Sequence, residues 1–170
     1  AYAAVGSGIT GLGNEAVNVN SGTASTSQAN TLAADTSGVV TATISDGDMA
    51  TLAGLTETGN AYTITITDTS VAAAALNTLD GKTTVAINAS NITTLTGAAA
   101  DLNTAYASSG ISNLGNEAVT LSDTTLAASV LNTLDGNTSG AINASSINTL
   151  NSDTYDSLNT AYTAAGNGKI

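Results

Sequence analysis

A pentapeptide that returns intact constrains this chain more than any other feature. Gly13-Asn14-Glu15-Ala16-Val17 recurs as Gly115-Asn116-Glu117-Ala118-Val119. The register then holds through Asn30-Thr31-Leu32 against Asn132-Thr133-Leu134, and Thr36-Ser37-Gly38 against Thr138-Ser139-Gly140. A second pairing sets Leu76-Asn77-Thr78-Leu79-Asp80-Gly81 against Leu131-Asn132-Thr133-Leu134-Asp135-Gly136. In the same pairing Ala86-Ile87-Asn88-Ala89-Ser90 meets Ala141-Ile142-Asn143-Ala144-Ser145. Such identity within one chain marks tandem duplication, the signature of repeat architectures.

A shorter unit lies inside the long one. Apolar and polar residues alternate near 16–19, 40–44, 62–66, 85–89, 118–121 and 142–144, which predicts six strands. Their last inward residues, Val19, Ile44, Ile66, Ala89, Leu121 and Ala144, stand 25, 22, 23, 32 and 23 residues apart. Two positions further on come Ser21, Asp46, Asp68, Asn91, Asp123 and Ser146. All six are types whose side-chain oxygen caps a helix start, so each is expected to cap the helix that follows it. Val71, Ala75, Leu76 and Leu79, and again Leu126, Val130, Leu131 and Leu134, then follow helical spacing. Gly81 and Gly136 are expected to close those helices in the left-handed conformation. The 32-residue interval is expected to hold a helix running on through Asp101-Leu102-Asn103-Thr104-Ala105-Tyr106, with a loop over 110–116.

Strand, helix and strand in one direction give parallel pairing with right-handed crossovers, and stacked units bury what one unit cannot. The fold class is therefore α/β: a β-strand–α-helix solenoid of about six coils, with one parallel sheet face and one helical face. It forms a single array over 1–170. Ala1-Tyr2-Ala3 matches Ala105-Tyr106-Ala107 and Ala161-Tyr162, so both ends are expected to fall within helices. The expected partners are neighbouring repeats, or identical subunits stacked end to end.

Composition narrows the function classes. The 170 residues contain 13 acidic residues against Lys82 and Lys169, no arginine and no histidine, for a formal net charge of −11. Nucleic acid and anionic membrane surfaces need cations that this chain lacks. No apolar run is long enough to insert into a bilayer. With no cysteine and no histidine, the common nucleophile–base pairs and zinc sites are missing. Asp46 with Asp48, or Asp153 with Asp156, could in principle make a glycosidase pair, but no aromatic-rich cleft accompanies them. They read as helix caps and turn residues, and the chain as no enzyme. Asp46, Asp48 and Glu57 stand at the first, third and twelfth positions of an EF-hand loop, but Ala50 replaces a ligand and Thr51 the turn glycine. No cofactor is expected beyond weak surface calcium.

The outward strand positions form the sharpest candidate surface. Asn18, Thr43, Thr65, Asn88, Thr120 and Asn143 precede the six inward residues, and Asn20, Ser45, Thr67, Ser90, Ser122 and Ser145 follow them. Stacked in register, they would make two polar ladders at the strand spacing of about 4.8 Å. Such ladders either solvate an open face or form a regular binding surface for ice, carbohydrate or a cell.

Gly115-Asn116-Glu117-Ala118-Val119-Thr120-Leu121-Ser122-Asp123 and Val130-Leu131-Asn132-Thr133-Leu134-Asp135-Gly136 resemble repeats in giant secreted or cell-surface proteins of marine bacteria, notably cyanobacteria. That resemblance implies an extracellular or cell-surface structural and adhesive module, a spacer or filament former with many more repeats. The coil is similar in architecture to a leucine-rich repeat, but it departs from the L-x-x-L-x-L-x-x-N pattern.

Overall fold

The computed structural model describes residues 11–152 and 154–170. β1 (Val17–Asn18) leads to α1 (Thr26–Asp35), and β2 (Val40–Thr43) to α2 (Met49–Leu52). From there on, two or more strands precede each helix. β3 (Ala61–Thr63) and β4 (Ser70–Ala72) precede α3 (Ala73–Asp80), and β5 (Ile87–Asn88) and β6 (Thr94–Gly97) precede α4 (Ala99–Ala107). β7 (Ile111–Ser112), β8 (Ala118–Leu121) and β9 (Thr125–Ala127) lead to α5 (Ala128–Asn137). β10 (Ile142–Asn143) and β11 (Thr149–Asn151) lead to α6 (Tyr155–Gly166).

Every strand pair among the described residues is parallel. The class is α/β, and the strands fall into four small sheets, not one face: β1-β2-β3, β10-β8-β6-β4, β11-β9 and β5-β7. The four-stranded sheet aligns Val71, Leu95, Val119 and Ile142 in one inward column, each at most 3% exposed. Their alternation with outward polar residues puts one apolar side chain per layer into the core. On the other side α2, α3, α4, α5 and α6 pack in chain order. Leu76 and Leu79, Leu102 and Ala105, and Leu131 and Leu134 point inward at helical spacing and are buried. Burying each leucine contributes about 1.5–3 kcal/mol. With neither phenylalanine nor tryptophan in the chain, the core is built from many such thin contributions.

The six expected strands are found at or inside their predicted bounds, apart from β3, which begins one residue early; Ile44 and Thr65 join only as isolated bridges. The helices differ more. Val71 and Leu126 lie in β4 and β9, and residues 94–97 form β6 where a helix was expected. The four-residue step from Val71 to Ala75 imitates a helix because a three-residue strand exposes only one inward residue. β7 lies within the expected 110–116 loop, so the 32-residue interval holds two strands and a helix. Gly81 is right-handed at φ −66°, and Gly136 lies inside α5, so neither closes a helix in the left-handed form. Ala1, Tyr2 and Ala3 lie outside the described residues, whereas Ala161 and Tyr162 lie in α6.

Two glycines separate close approach from helix propensity. A Cβ on Gly140 would fall on the Glu117 carbonyl, while a Cβ on Gly136 would meet nothing within 4 Å. Gly140→Ala is expected to destabilise by about 2 kcal/mol or more through this backbone clash. Gly136→Ala should instead stabilise by about 0.5–1 kcal/mol. Urea unfolding of the two variants measures both, and equal effects would refute the contrast.

Candidate functional site

The side chains with chemical potential in this chain mostly bind its own backbone, one strand–helix unit away. The six expected caps show this first. Helix N-cap positions are held by Ser25, Asp48, Ala72, Ala98, Ala127 and Thr154, so none of Ser21, Asp46, Asp68, Asn91, Asp123 and Ser146 caps the helix after it. Three of them accept from the first N–H of the helix before. Asp46 accepts from Thr26 of α1 at 2.7 Å, Asp68 from Met49 of α2 at 2.6 Å, and Asp123 from Ala99 of α4 at 2.7 Å. This matters at α4, whose own N-cap Ala98 offers no acceptor. Asn91 and Ser146 instead donate to the carbonyls of Ile66 and Leu121, at 2.8 and 2.9 Å.

A second seam joins the helices. Asn30 donates to the Gly54 carbonyl, Asn77 to Asp101, Asn103 to Val130 and Asn132 to Ser157, at 2.7, 2.9, 3.3 and 3.0 Å. In each case the following threonine, Thr31, Thr78, Thr104 or Thr133, bonds back to the carbonyl four residues earlier. The signal for this seam is the tripeptide Leu-Asn-Thr at 76–78, 102–104, 131–133 and 158–160, with Ala29-Asn30-Thr31 as its variant. Helical spacing marks only the apolar positions beside those asparagines and assigns the asparagines no partner.

The third seam is the repeated Gly-Asn-Glu. Glu117 is fully buried, and its Oε2 accepts from Gly115 N at 2.8 Å, Asn116 N at 3.1 Å and Tyr106 Oη at 3.2 Å. Glu15 repeats the first two contacts with Gly13 and Asn14, at 2.8 and 3.1 Å. Gly13 and Gly115 adopt φ of +132° and +133°, which leaves the carboxylate room to fold back onto the turn. Thr138 then donates to the Glu117 carbonyl at 2.8 Å, as Thr36 does to Glu15 at 2.6 Å. The Gly13 N–H holds the Glu15 carboxyl below its ordinary range, and the Thr51 N–H does the same for Asp48. Burial, with the Glu117 charge beside it, pushes the Tyr106 hydroxyl up to about 12.

Other candidates divide in the same way. Asp46 and Asp48 serve helix starts, Asp48 accepting from Thr51 N at 2.8 Å, and α2 occupies the EF-hand-like segment. Asp156 is exposed in the first turn of α6, and Asp153 lies outside the described residues. Among the described residues no three acidic groups come together as a metal would need. Lys82 donates to the Thr56 carbonyl at 2.9 Å, and Lys169 to those of Asp135 and Thr138 at 3.0 and 2.8 Å. No described helix is long and apolar enough to cross a membrane.

The expected outward ladder does not form one column. Asn18 faces Thr41 instead of Thr43, and Thr43 faces Thr63 instead of Thr65. Thr65 does face Asn88, but Asn88 then meets Ser112, while Thr120 lies between Thr96 and Asn143. Both pairings fall two residues short of the expected ones: Asn18 to Thr41 spans 23 residues where Asn18 to Thr43 spans 25, and Thr43 to Thr63 spans 20 where Thr43 to Thr65 spans 22.

The carboxylates at these seams give stability a sign with pH. Glu15 and Asp48 have depressed folded values, so their contribution is present above the ordinary values of 4.5 and 3.8 and is lost as pH falls through the folded ones. Stability is therefore expected to be level from pH 7 to about 5 and to decline below about 4.5. The Glu15→Gln/Asp48→Asn double variant should decline less steeply in urea melts across that range. An unchanged slope would refute the assignment.

Comparison with known proteins finds no family model, no curated protein and no solved structure that matches this chain.

Proposed function

We propose that the chain is a solenoid of about six strand–helix coils, working as a structural and adhesive spacer in an extracellular or cell-surface protein, without catalysis. One observation carries the reading. The Asn-to-carbonyl bond recurs at offsets of 24, 24, 27 and 25 residues, so the same contact joins four of the five successive helix steps, all but α2 to α3. Stacking of this kind makes stability a sum of unit and neighbour terms, which suits a part whose length can change by whole units. The occupation of Asp46, Asp68, Asp123 and both lysines by backbone groups supports a framework role over a chemical one.

Excision of one coil tests this. Val71 and Leu95 are register partners, so deleting residues 72–95 removes 24 of 170 residues and joins Val71 to Thr96 in an equivalent position. The shortened chain is expected to fold cooperatively, with an m-value lower by about one-seventh, in proportion to the surface removed. Loss of cooperative unfolding would sink the solenoid reading.

A second reading is a binding module. Thr41, Thr43, Ser45, Thr63, Thr65 and Thr67 are all exposed on neighbouring strands, with Thr43 facing Thr63 in register. That patch would suit ice, carbohydrate or a cell surface. A thermal-hysteresis assay without activity removes the ice version.

A further inference from the structure

α6 is the last helix of the packed row, and its outer side is unlike that of its predecessors. Leu158 is half-buried where Leu102 is fully buried, and Asn159 is exposed where Asn103 and Asn132 are half-buried. Tyr162 is 67% exposed where Tyr106 is half-buried. Beside it opens a cavity of about 210 Å³ lined by Leu131, Ile147, Leu150, Ala161 and Tyr162. Among the described residues β11 pairs only with β9.

This side carries donors that the chain has already matched once. Leu-Asn-Thr-Ala-Tyr occurs at 102–106 and again at 158–162. In the first copy Asn103 donates to the Val130 carbonyl and Tyr106 to Glu117 Oε2. Those two acceptors stand 13 residues apart, and the repeat places Glu15 and Gln28 at the same 13-residue separation. The donors also agree, three residues apart in both helices. The half-buried apolar residues Val17, Val19, Leu32 and Ala33 occupy the unit that carries Glu15 and Gln28.

We propose that the outer side of α6 takes residues 13–35 of a second copy of this chain, continuing the internal interface between α4 and α5. Asn159 Nδ2 donates to the Gln28 carbonyl of the second copy and Tyr162 Oη to its Glu15 carboxylate, while its apolar residues fill the cavity. The contact is head-to-tail between two different surfaces, so it can repeat from copy to copy and assembly stays open. Each copy carries a formal charge of −11, so salt should favour association by screening their repulsion. The proposal rests on the stacked-coil reading above.

Sedimentation of the 170-residue chain tests it, at concentrations up to about 0.5 mM, in about 0.1 and 1 M sodium chloride. The expected result is species larger than dimers that grow with concentration and with salt. Asn159→Ala/Tyr162→Ser, at two exposed positions, should keep the thermal transition and associate at least about tenfold more weakly. That variant keeps its receiving side, so excess added to the wild type should shorten the assemblies. Three results would each overturn the proposal: a wild type monomeric throughout, a double variant that associates as the wild type does, or one that fails to shorten assemblies. A chain that survives coil excision yet stays monomeric loses only this inference and keeps its solenoid reading.

Discussion

Short polar side chains that bond backbone groups 20 to 27 residues away are the constraint on which the rest of this structure depends. A chain with no phenylalanine or tryptophan buries little apolar area per layer, so each layer needs help in finding its neighbour. Directional bonds supply it. An asparagine amide on a helix surface reaches the next helix, and a serine or threonine after each of four helices satisfies the N–H two residues on. Each such bond contributes only about 1 kcal/mol net, but leaving a buried partner unmade costs more, so the seams fix register as well as adding stability.

The sequence was most legible where one residue type repeats at a fixed step. Alternation located the six strands because each lies in a segment with two or more apolar residues at alternate positions, as Val40 and Ala42 at β2 or Ile142 and Ala144 at β10. It failed at β4 and β9, where Val71 and Leu126 are single inward residues standing four positions before Ala75 and Val130, the spacing of a helical turn. At the seams the residue types were right and the addressee was wrong. Asp46, Asp68 and Asp123 do bind helix starts, but one unit earlier than the order of residues suggests. Local pattern carries no information about which layer a side chain reaches. The outward ladder failed for a related reason, since a two-residue shift at Asn18–Thr41 and at Thr43–Thr63 leaves alternation intact while changing the cross-strand partner.

The same economy shapes the electrostatics. Both lysines close contacts to helix-end or turn carbonyls, and several carboxylates sit on N–H groups, where the local dipole favours negative charge. Glu57 and Asp156 are exposed and Asp35, Asp80 and Asp101 half-buried, and with a formal charge of −11 the chain repels other anions, copies of itself included, unless salt intervenes.

The capping of one helix by a residue from the following unit also gives the chain a direction in time. The first N–H of α4 is complete only once Asp123 exists, 24 residues downstream. As the chain emerges from the ribosome, α1, α2 and α4 gain the acceptor for their first N–H only once Asp46, Asp68 or Asp123 has been synthesised. At these three helices the start is thus completed about one unit behind synthesis, and a pause in translation before the acceptor leaves that N–H unmatched.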